Sequence, residues 1–263
     1  ARMKILFSGP SLHGLVVDGR IAGHPDIVCR GPAAQGDIAR AVIDGASVIG
    51  LVDGRYEDVA APWHKEILWA LTQGVTMLGA GSLGALRAAE CTAFGMIGLG
   101  PIYARFMTGE FHDDADVAQI HGPEEMDHLP LGEAVVNIEA TLRRMVGLGL
   151  IDDGFYAGAM RAARSIFFKD LSFEAVAARL AIDDERRRAF VAAARANRID
   201  QKRADALELV ARMAELPAVR TPPPRWRMAE PHQWLAFLRS IEAKGGAIES
   251  GACQPAQASA GTD

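Results

Sequence analysis

The sequence predicts an α/β fold, with a mostly parallel central sheet, flanking helices in a Rossmann-like order and a C-terminal helical region. In the first half, short apolar runs that end in Gly, Ser or Asp alternate with segments of helical spacing. Strands separated by helices need crossover connections, which favour a parallel sheet. From about residue 130, apolar residues recur three and four positions apart, which is typical of amphipathic helices.

The elements follow in order from these patterns. The predicted strands are 3–9, 47–53 and 75–81, with 26–32 as a further strand, and the helices between them are 36–45 and 62–74. In the second half, helical spacing covers 131–150, 172–180 and 183–216. The predicted organisation is an α/β core at 3–150, a helical region at 151–216, a Pro-rich linker with a short helix at 217–243, and a tail of disordered composition at 244–263.

Composition narrows the class of protein. The 263 residues are 49% hydrophobic and 23% charged, as in globular proteins, and no apolar run approaches the roughly 18 residues of a membrane span. We therefore expect a cytoplasmic protein that does not bind membranes. Residues 1–150 carry 11 basic and 18 acidic groups, which argues against nucleic-acid binding. The three cysteines form no C-x-x-C pair, so we expect reduced thiols and no metal site.

Parallel sheets bind ligands beyond the carboxyl ends of their strands, so the strand-end residues are the candidate site. These residues are Ser8 and Gly9, Asp53 and Gly54, and Gly81 and Ser82. The Asp53–Gly54 pair has two interpretations: a tight turn, or a carboxylate that faces the crevice and orients an amine or the substrate.

Ser82 is the candidate nucleophile. The stretch "AGSLGALRAAE" resembles the strand-to-helix turn G-x-S-x-G, with Ala80 at the first glycine position. In such a turn, the N–H groups of Leu83 and Gly84 point at an oxygen near the serine, where the helix start favours negative charge. The alternative is that Ser82 simply caps the helix.

Lys65 is the candidate base. It lies in the first turn of a predicted helix beside Trp63 and Trp69, where the helix dipole and apolar burial both disfavour the charged amine. The alternative is a solvated lysine that pairs with Glu66 or Glu57. Parallel topology could bring Lys65 and Ser82 together, since both fall near strand ends.

Two further groups leave alternatives open. Arg87 stands three residues before Glu90, which suits an intrahelical ion pair but also allows Arg87 to hold an anionic substrate. The loop "FHDDADVAQIHGPEE" could seat a metal or supply a histidine to Ser82, although an exposed helix start explains it as well. Its candidate groups are His112, Asp113, Asp114, Asp116 and His121.

Taken together, several segments resemble the TfuA-like family, the partners of YcaO enzymes in peptide backbone thioamidation. They cover about residues 4–145 and read "FSGPSL", "GPAAQGDI", "VIGLVDGRYE", "WHKEILWAL", "GAGSLGALRAAE", "FGMIGLGPIY", "DDADVAQIHGP" and "PLGEAVVNIEATL". Gly81 and Leu83 stand where the family pattern has Ala and Met. The resemblance implies an α/β core of unusual topology and a Ser–Lys pair, which places the nucleophile at Ser82 and the base at Lys65.

The resemblance also implies the substrate and partners. The expected substrate is the thiocarboxylated tail of a ThiS-like sulfur-carrier protein, and the expected partner is a YcaO enzyme, through which a precursor peptide or protein is reached indirectly. No cofactor is expected. The candidate oxyanion or substrate-binding residues are Leu83, Gly84, Asp53, Gly54, Arg87, Ser8, Gly9, Glu57 and His64.

The expected reaction is attack of Ser82 on the thiocarboxylate carbon, loss of hydrosulfide and hydrolysis of the acyl-enzyme by water. Two alternatives remain open. In one, the protein is a non-enzymatic adaptor whose seven basic groups in 185–203 contact a partner. In the other, Cys29 or Cys91 relays sulfur as a persulfide.

Overall fold

The computed structural model describes residues 3–55, 59–112 and 114–249. The chain forms two compact units, Ala1–Arg227 and Met228–Asp263. The strands are β1 (Met3–Phe7), β2 (Val16–Val17), β3 (Arg20–Ile21), β4 (His24–Arg30), β5 (Ala46–Leu51), β6 (Thr76–Gly79) and β7 (Ile97–Gly98). The helices are α1 (Asp37–Ile43), α2 (His64–Thr72), α3 (Leu83–Cys91), α4 (Gly100–Met107), α5 (Val135–Gly147), α6 (Asp153–Arg164), α7 (Phe173–Ala178), α8 (Asp184–Ala196), α9 (Gln201–Glu215) and α10 (His232–Glu249).

The sheet has the order β2-β3-β4-β1-β5-β6-β7. The strands from β4 to β7 are parallel, and β2 and β3 form an antiparallel hairpin at one edge. This confirms the predicted mostly parallel sheet with flanking helices. In chain order the five parallel strands run 2-1-3-4-5, a doubly wound order whose ligand crevice lies at the carboxyl ends of β1 and β5.

Local sequence explains the central elements. Every residue of β5 is buried, as expected for a central parallel strand covered on both faces. The side chain of Glu66 accepts the N–H of Trp63 at the start of α2 and those of Gly36 and Ala39 at the start of α1. Burial raises the pKa of this carboxyl, although its three backbone hydrogen bonds oppose the shift. Glu66 therefore joins the starts of the two helices.

The two faces of the sheet are covered from different parts of the chain. One face packs against α1 and α2, with Ile49 and Met77 among the buried residues. The other face packs against α9, whose Leu209 and Met213 meet Leu6 of β1. Residues 151–216 thus belong to the same compact unit as the α/β core. The helix predicted over 183–216 is divided into α8 and α9, and Asp200 caps α9 by accepting the N–H of Arg203.

The second unit contains α10, which runs to Glu249 and so extends into the predicted tail. Within this unit the rings of Trp234 and Phe237 lie 5.5 Å apart. The rest of the predicted tail, 250–263, lies outside the described residues. Across the residues that the structure describes, no helix combines the length and the apolar content that a bilayer span requires.

Candidate active site

The turn after β6 presents a buried, unpaired hydroxyl. Gly81 has φ +73°, a left-handed conformation that favours glycine, and Ser82 follows at the N-cap position of α3. The Ser82 side chain makes no capping hydrogen bond. It is 1% exposed, and its Oγ has no hydrogen-bond partner in the described chain. Capping therefore does not explain this side chain, and leaving a buried hydroxyl unpaired costs about 1–3 kcal/mol.

The start of α3 lies directly on the end of β5. The N–H of Gly84 donates to Val52 O at 3.0 Å, and a Cβ added to Gly84 would lie 1.8 Å from Leu51 O. The N–H of Gly84 thus already has a backbone acceptor in this conformation, and its predicted oxyanion or substrate-binding role stays a prediction. The N–H of Leu83 stays a candidate, since no hydrogen bond engages it within the described part of the chain. Its side chain packs on Gly54.

Asp53 organises the loop that follows β1. Its carboxylate is 2% exposed and accepts four hydrogen bonds: from Ser8 Oγ at 3.2 Å, Gly9 N at 2.9 Å, Ser11 N at 3.0 Å and Ser11 Oγ at 2.7 Å. Ser8 and Gly9 are therefore brought to Asp53 as strand-end neighbours. The carboxylate thus binds the loop after β1 and faces an amine, and the predicted orientation of a substrate by Asp53 stays a prediction.

That amine belongs to Lys202 of α9. Lys202 Nζ lies 3.9 Å from Asp53 Oδ1 and donates to Val117 O at 2.9 Å. The residue is 1% exposed, and its backbone oxygen would lie 2.9 Å from a Cβ added to Gly81. Burial lowers the pKa of Lys202, and the Asp53 carboxylate opposes this shift.

Lys202 was not predicted as a site residue, because it is one of seven basic groups in a stretch that has the composition of a solvated helix face. A signal was present: Lys202 is in register with Ala206, Leu209 and Met213 on the apolar side of α9, a position where a lysine is buried. The other basic groups of that stretch are largely engaged within the chain. Arg187, Arg195, Arg198 and Arg203 all contact acidic side chains or backbone carbonyls.

Lys65 lies in the first turn of α2 and is partly buried. The predicted pair with Ser82 is not in hydrogen-bonding contact in this structure, because Ser82 Oγ has no partner. The preceding residue, His64, is half-exposed and lies at the surface end of α2. Glu57, another predicted substrate-binding residue, lies outside the described residues.

Arg87 forms the predicted intrahelical ion pair, with Arg87 Nη1 2.7 Å from Glu90 Oε2. His64 Nε2 lies 2.8 Å from the same carboxylate oxygen, and Arg87 Nε also donates to Pro62 O. Although burial opposes the shift, the hydrogen bonds from His64 and Arg87 lower the pKa of Glu90. These contacts tie α3 to the start of α2, and they leave the second interpretation of Arg87, binding of an anion, as a proposal.

An open cavity of about 630 Å³ lies next to the loops that follow β4 and β5. Its lining includes Gly31, Pro32, Arg55, His121, His128 and Lys169. His128 has φ +53°, and burial together with nearby His121 lowers its pKa, so its imidazole is neutral at neutral pH. The two imidazole rings lie 5.3 Å apart. Neither Ser82 nor Lys65 lines this cavity.

His128 was not predicted, and no local pattern marks it. His128 lies close to the loops that follow β1 and β4. A Cβ atom added to Gly9 would lie 3.2 Å from His128 Cβ, and a Cβ atom added to Gly31 would lie 3.1 Å from His128 Nε2. The Nδ1 atom of His128 is buried without a hydrogen-bond partner in the described chain. The histidine thus borders the same loop that Asp53 holds through Gly9.

The acidic loop does not assemble around Ser82. Asp116 pairs with Arg164 at 2.7 Å, and His121 Nδ1 contacts Gly122 O at 2.7 Å. Asp113 lies outside the described residues. Among the residues with described positions, no group of three or more histidine, cysteine or acidic side chains has metal-binding geometry.

The thiols are poorly suited to sulfur relay. Burial raises the pKa of Cys29 to about 12 and that of Cys91 to about 11. Both are therefore protonated at neutral pH, whereas the thiolate is the reactive form. Cys253 lies outside the described residues.

These features define an α/β protein whose polar side chains converge at the carboxyl edge of a doubly wound sheet, at the strand ends where such folds hold ligands. Residues 53–172 match the model of a family described as TfuA-like protein. The match confirms the predicted resemblance to TfuA-like proteins over these residues. It begins at Asp53, extends beyond the quoted segments through α6 to Ser172, directly before α7, and does not reach α9.

TfuA-like proteins are associated with YcaO enzymes and with the YcaO-dependent thioamidation of peptides. The family therefore supplies a biochemical context for the site. No curated protein is significantly similar to the chain.

Proposed function

We propose that the protein hydrolyses the thiocarboxylated C-terminus of a ThiS-like sulfur carrier and releases sulfide for a YcaO enzyme, which it also binds. Ser82 is the nucleophile. Lys65 is the base that removes the proton of the Ser82 hydroxyl, as the family resemblance implies. The observation that carries the proposal is the Ser82 hydroxyl, buried and unpaired in a glycine-bearing strand-to-helix turn at the carboxyl edge of the sheet.

The chemistry balances without a further reactant. Ser82 Oγ attacks the thiocarboxylate carbon and its proton passes by way of a basic amine to the sulfur, which leaves as hydrosulfide. Water then cleaves the Ser82 ester, which returns the hydroxyl and a carrier carboxylate. Hydrosulfide is a much better leaving group than an amide nitrogen, so a partly formed oxyanion site suffices. The free N–H of Leu83 at the start of α3 is the candidate donor to that oxyanion.

Binding of the substrate must complete the site. Catalytic hydrogen bonds are often long in a free enzyme and shorten when the substrate enters. A glycine-ended carrier tail is thin enough to approach the loops after β1, β4 and β5 at the carboxyl edge of the sheet. The cavity beside these loops gives room for the residues that precede the tail's end.

The experiment compares sulfide release from thiocarboxylated carrier by the wild type, Ser82→Ala and Lys65→Ala. Both variants should lose at least about 100-fold in kcat/KM, and the double variant should be little slower than either one. Ser47→Ala is the matched control. Ser47 is a buried serine at the opposite, amino end of β5, where its Oγ donates to Met3 O. Rates for Ser82→Ala equal to those of Ser47→Ala would discard the nucleophile assignment.

A non-catalytic adaptor is the second candidate. It is favoured by the position of the open cavity, whose lining contains neither Ser82 nor Lys65. An adaptor binds carrier and YcaO in fixed proportion and releases no sulfide by itself. Mass spectrometry of the carrier after incubation with the wild type separates the two: a mass change from thiocarboxylate to carboxylate supports the hydrolase, and an unchanged mass in a stable complex supports the adaptor.

A further inference from the structure

We propose that the open cavity binds the extended C-terminal segment of the sulfur carrier through main-chain hydrogen bonds to one edge of a short hairpin. This inference rests on the proposed function and deepens it, because it assigns the site that holds the carrier residues before the reacting end. The hairpin has two arms, 119–122 and 129–131, joined by a turn. Its two outer edges differ in their ability to pair with another chain.

The pairing of the two arms determines where their main-chain groups point. Two backbone hydrogen bonds join the arms: Gly122 N to Leu129 O at 2.8 Å, and Leu131 N to Ile120 O at 3.0 Å. His121 and Pro130 lie opposite each other between these bonds. At such a position of an antiparallel pair, the N–H and C=O groups of both residues point away from the partner arm. The main chain of His121 is therefore directed to one outer edge and that of Pro130 to the other.

Only one of these edges can both donate and accept hydrogen bonds. Pro130 has no N–H, and proline is a common means of blocking an exposed strand edge. His121 keeps both groups, and no hydrogen bond engages its N–H or C=O within the described part of the chain. Its ring is held locally, with Nδ1 2.7 Å from Gly122 O. The Pro130 edge is thus blocked, whereas the His121 edge can accept an added strand.

The His121 edge lies on the open cavity. All four residues of the arm 119–122 line this cavity, together with Gly31 and Pro32 after β4. Pro130 lines a separate cavity of about 400 Å³. The volume of about 630 Å³ beside His121 is within the range of about 300–1,000 Å³ that ligand pockets have. An extended chain can therefore lie in the cavity along 119–122 and continue the hairpin as a third strand.

The cavity is connected to the nucleophile turn through neighbouring residues. Arg55 lines the cavity, and the residue before it, Gly54, packs against the side chain of Leu83, which directly follows Ser82. Ser82 itself does not line the cavity, so the reacting end of a bound carrier must lie beyond it. The carrier residues that precede this end are then the ones that pair with His121. An extended tail whose last residues continue past the cavity fits both features.

Hydrogen–deuterium exchange of the wild-type protein tests this pairing without any substitution. The protein is measured alone, with saturating ThiS-like carrier in its unmodified carboxylate form, and with the same carrier lacking its extended tail. The intact carrier should slow exchange of the His121 amide at least about 10-fold, because the amide becomes hydrogen-bonded. The carrier without its tail should leave the exchange unchanged. Failure of the intact carrier to bind, or slowing by both forms alike, would overturn the inference.

Three variants test the same contact by calorimetric measurement of the Kd for the carrier. His121→Pro removes the outward N–H but no hydrogen bond of the hairpin, and it should weaken binding at least about 10-fold. His121→Ala removes the ring, keeps the N–H and should stay within about threefold of the wild type. Pro130→Ala, on the blocked edge, should bind like the wild type. Equal Kd values for His121→Pro and His121→Ala would contradict main-chain pairing. If His121→Pro does not fold, the exchange measurement decides.

The inference and the proposed function can fail separately. If the carrier tail slows exchange at His121 but the wild type leaves thiocarboxylated carrier unchanged, the hydrolase is wrong and the binding site stands. If His121→Pro hydrolyses thiocarboxylated carrier with unchanged kcat/KM, the function stands and the binding site is wrong.

Discussion

Asp53→Ala is expected to destabilise the protein strongly, because it removes the acceptor of four hydrogen bonds in a buried loop. The hydroxyls of Ser8 and Ser11 can turn to other acceptors. The backbone N–H groups of Gly9 and Ser11 cannot, and each buried donor left unpaired costs about 1–3 kcal/mol. The amine of Lys202 also loses its carboxylate partner. We therefore expect a loss of about 4 kcal/mol in the free energy of unfolding, a large part of the roughly 5–15 kcal/mol typical of folded proteins.

The measurement is urea denaturation followed by circular dichroism, with thermal unfolding as a second readout. A loss of this size should lower Tm by about 8–15 °C in a chain of this length. Asp53→Asn should lose much less, since its amide oxygen still accepts hydrogen bonds. Asp184→Ala is the control: it removes an exposed aspartate paired with Arg187, which costs at most about 1 kcal/mol. If Asp53→Ala is no less stable than Asp184→Ala, Asp53 does not hold the loop.

Two further variants test the packing and electrostatics around the site. Gly84→Ala should cost about 2–3 kcal/mol or more, because its methyl group would meet the backbone oxygen of Leu51. Gly147 lies in open space at the end of α5, so Gly147→Ala should be neutral or stabilising by up to about 1 kcal/mol. Equal urea midpoints for the Gly84→Ala and Gly147→Ala variants would contradict the close approach of Gly84 to Leu51. Burial raises the pKa of Asp205 to about 6, so the folded state binds its proton more tightly than the unfolded state, and stability falls as pH rises from about 4 to about 6. Asp205→Asn keeps an acceptor for the N–H of Ile102. Its free energy of unfolding should match that of the wild type near pH 3.5 and exceed it by about 2 kcal/mol at pH 7. If the free energies of unfolding of variant and wild type stay parallel across this pH range, Asp205 does not carry a buried charge.

Much of the fold could be predicted because it rests on local patterns. The apolar runs 3–9, 47–53 and 75–81 contain the strands β1, β5 and β6, and their alternation with helices predicted the parallel sheet. Short elements such as β2, β3 and β7 were missed, since two residues carry no periodicity. The division between α8 and α9 was also missed, because the apolar spacing continues across the break that Asp200 caps.

The candidate site was predicted less completely, because its contacts join residues far apart in the chain. Asp53 was recognised as a strand-end residue, but its partners at Ser11 and Lys202 depend on how the β1 loop and α9 fold back on it. Gly84 was assigned an oxyanion role from its place in a motif. The structure shows that the same glycine is needed for the contact between α3 and β5.

The helical half of the chain packs on the α/β core and borders the candidate site. It contributes α9, which covers one face of the sheet with Leu209 and Met213 and places Lys202 against Asp53. Asp205, one turn further along α9, binds the N–H of Ile102 at the start of α4. The family match ends at residue 172, before α9 begins. We expect a protein cut at that point to expose the apolar sheet face that α9 covers and to leave Asp53 without the amine of Lys202.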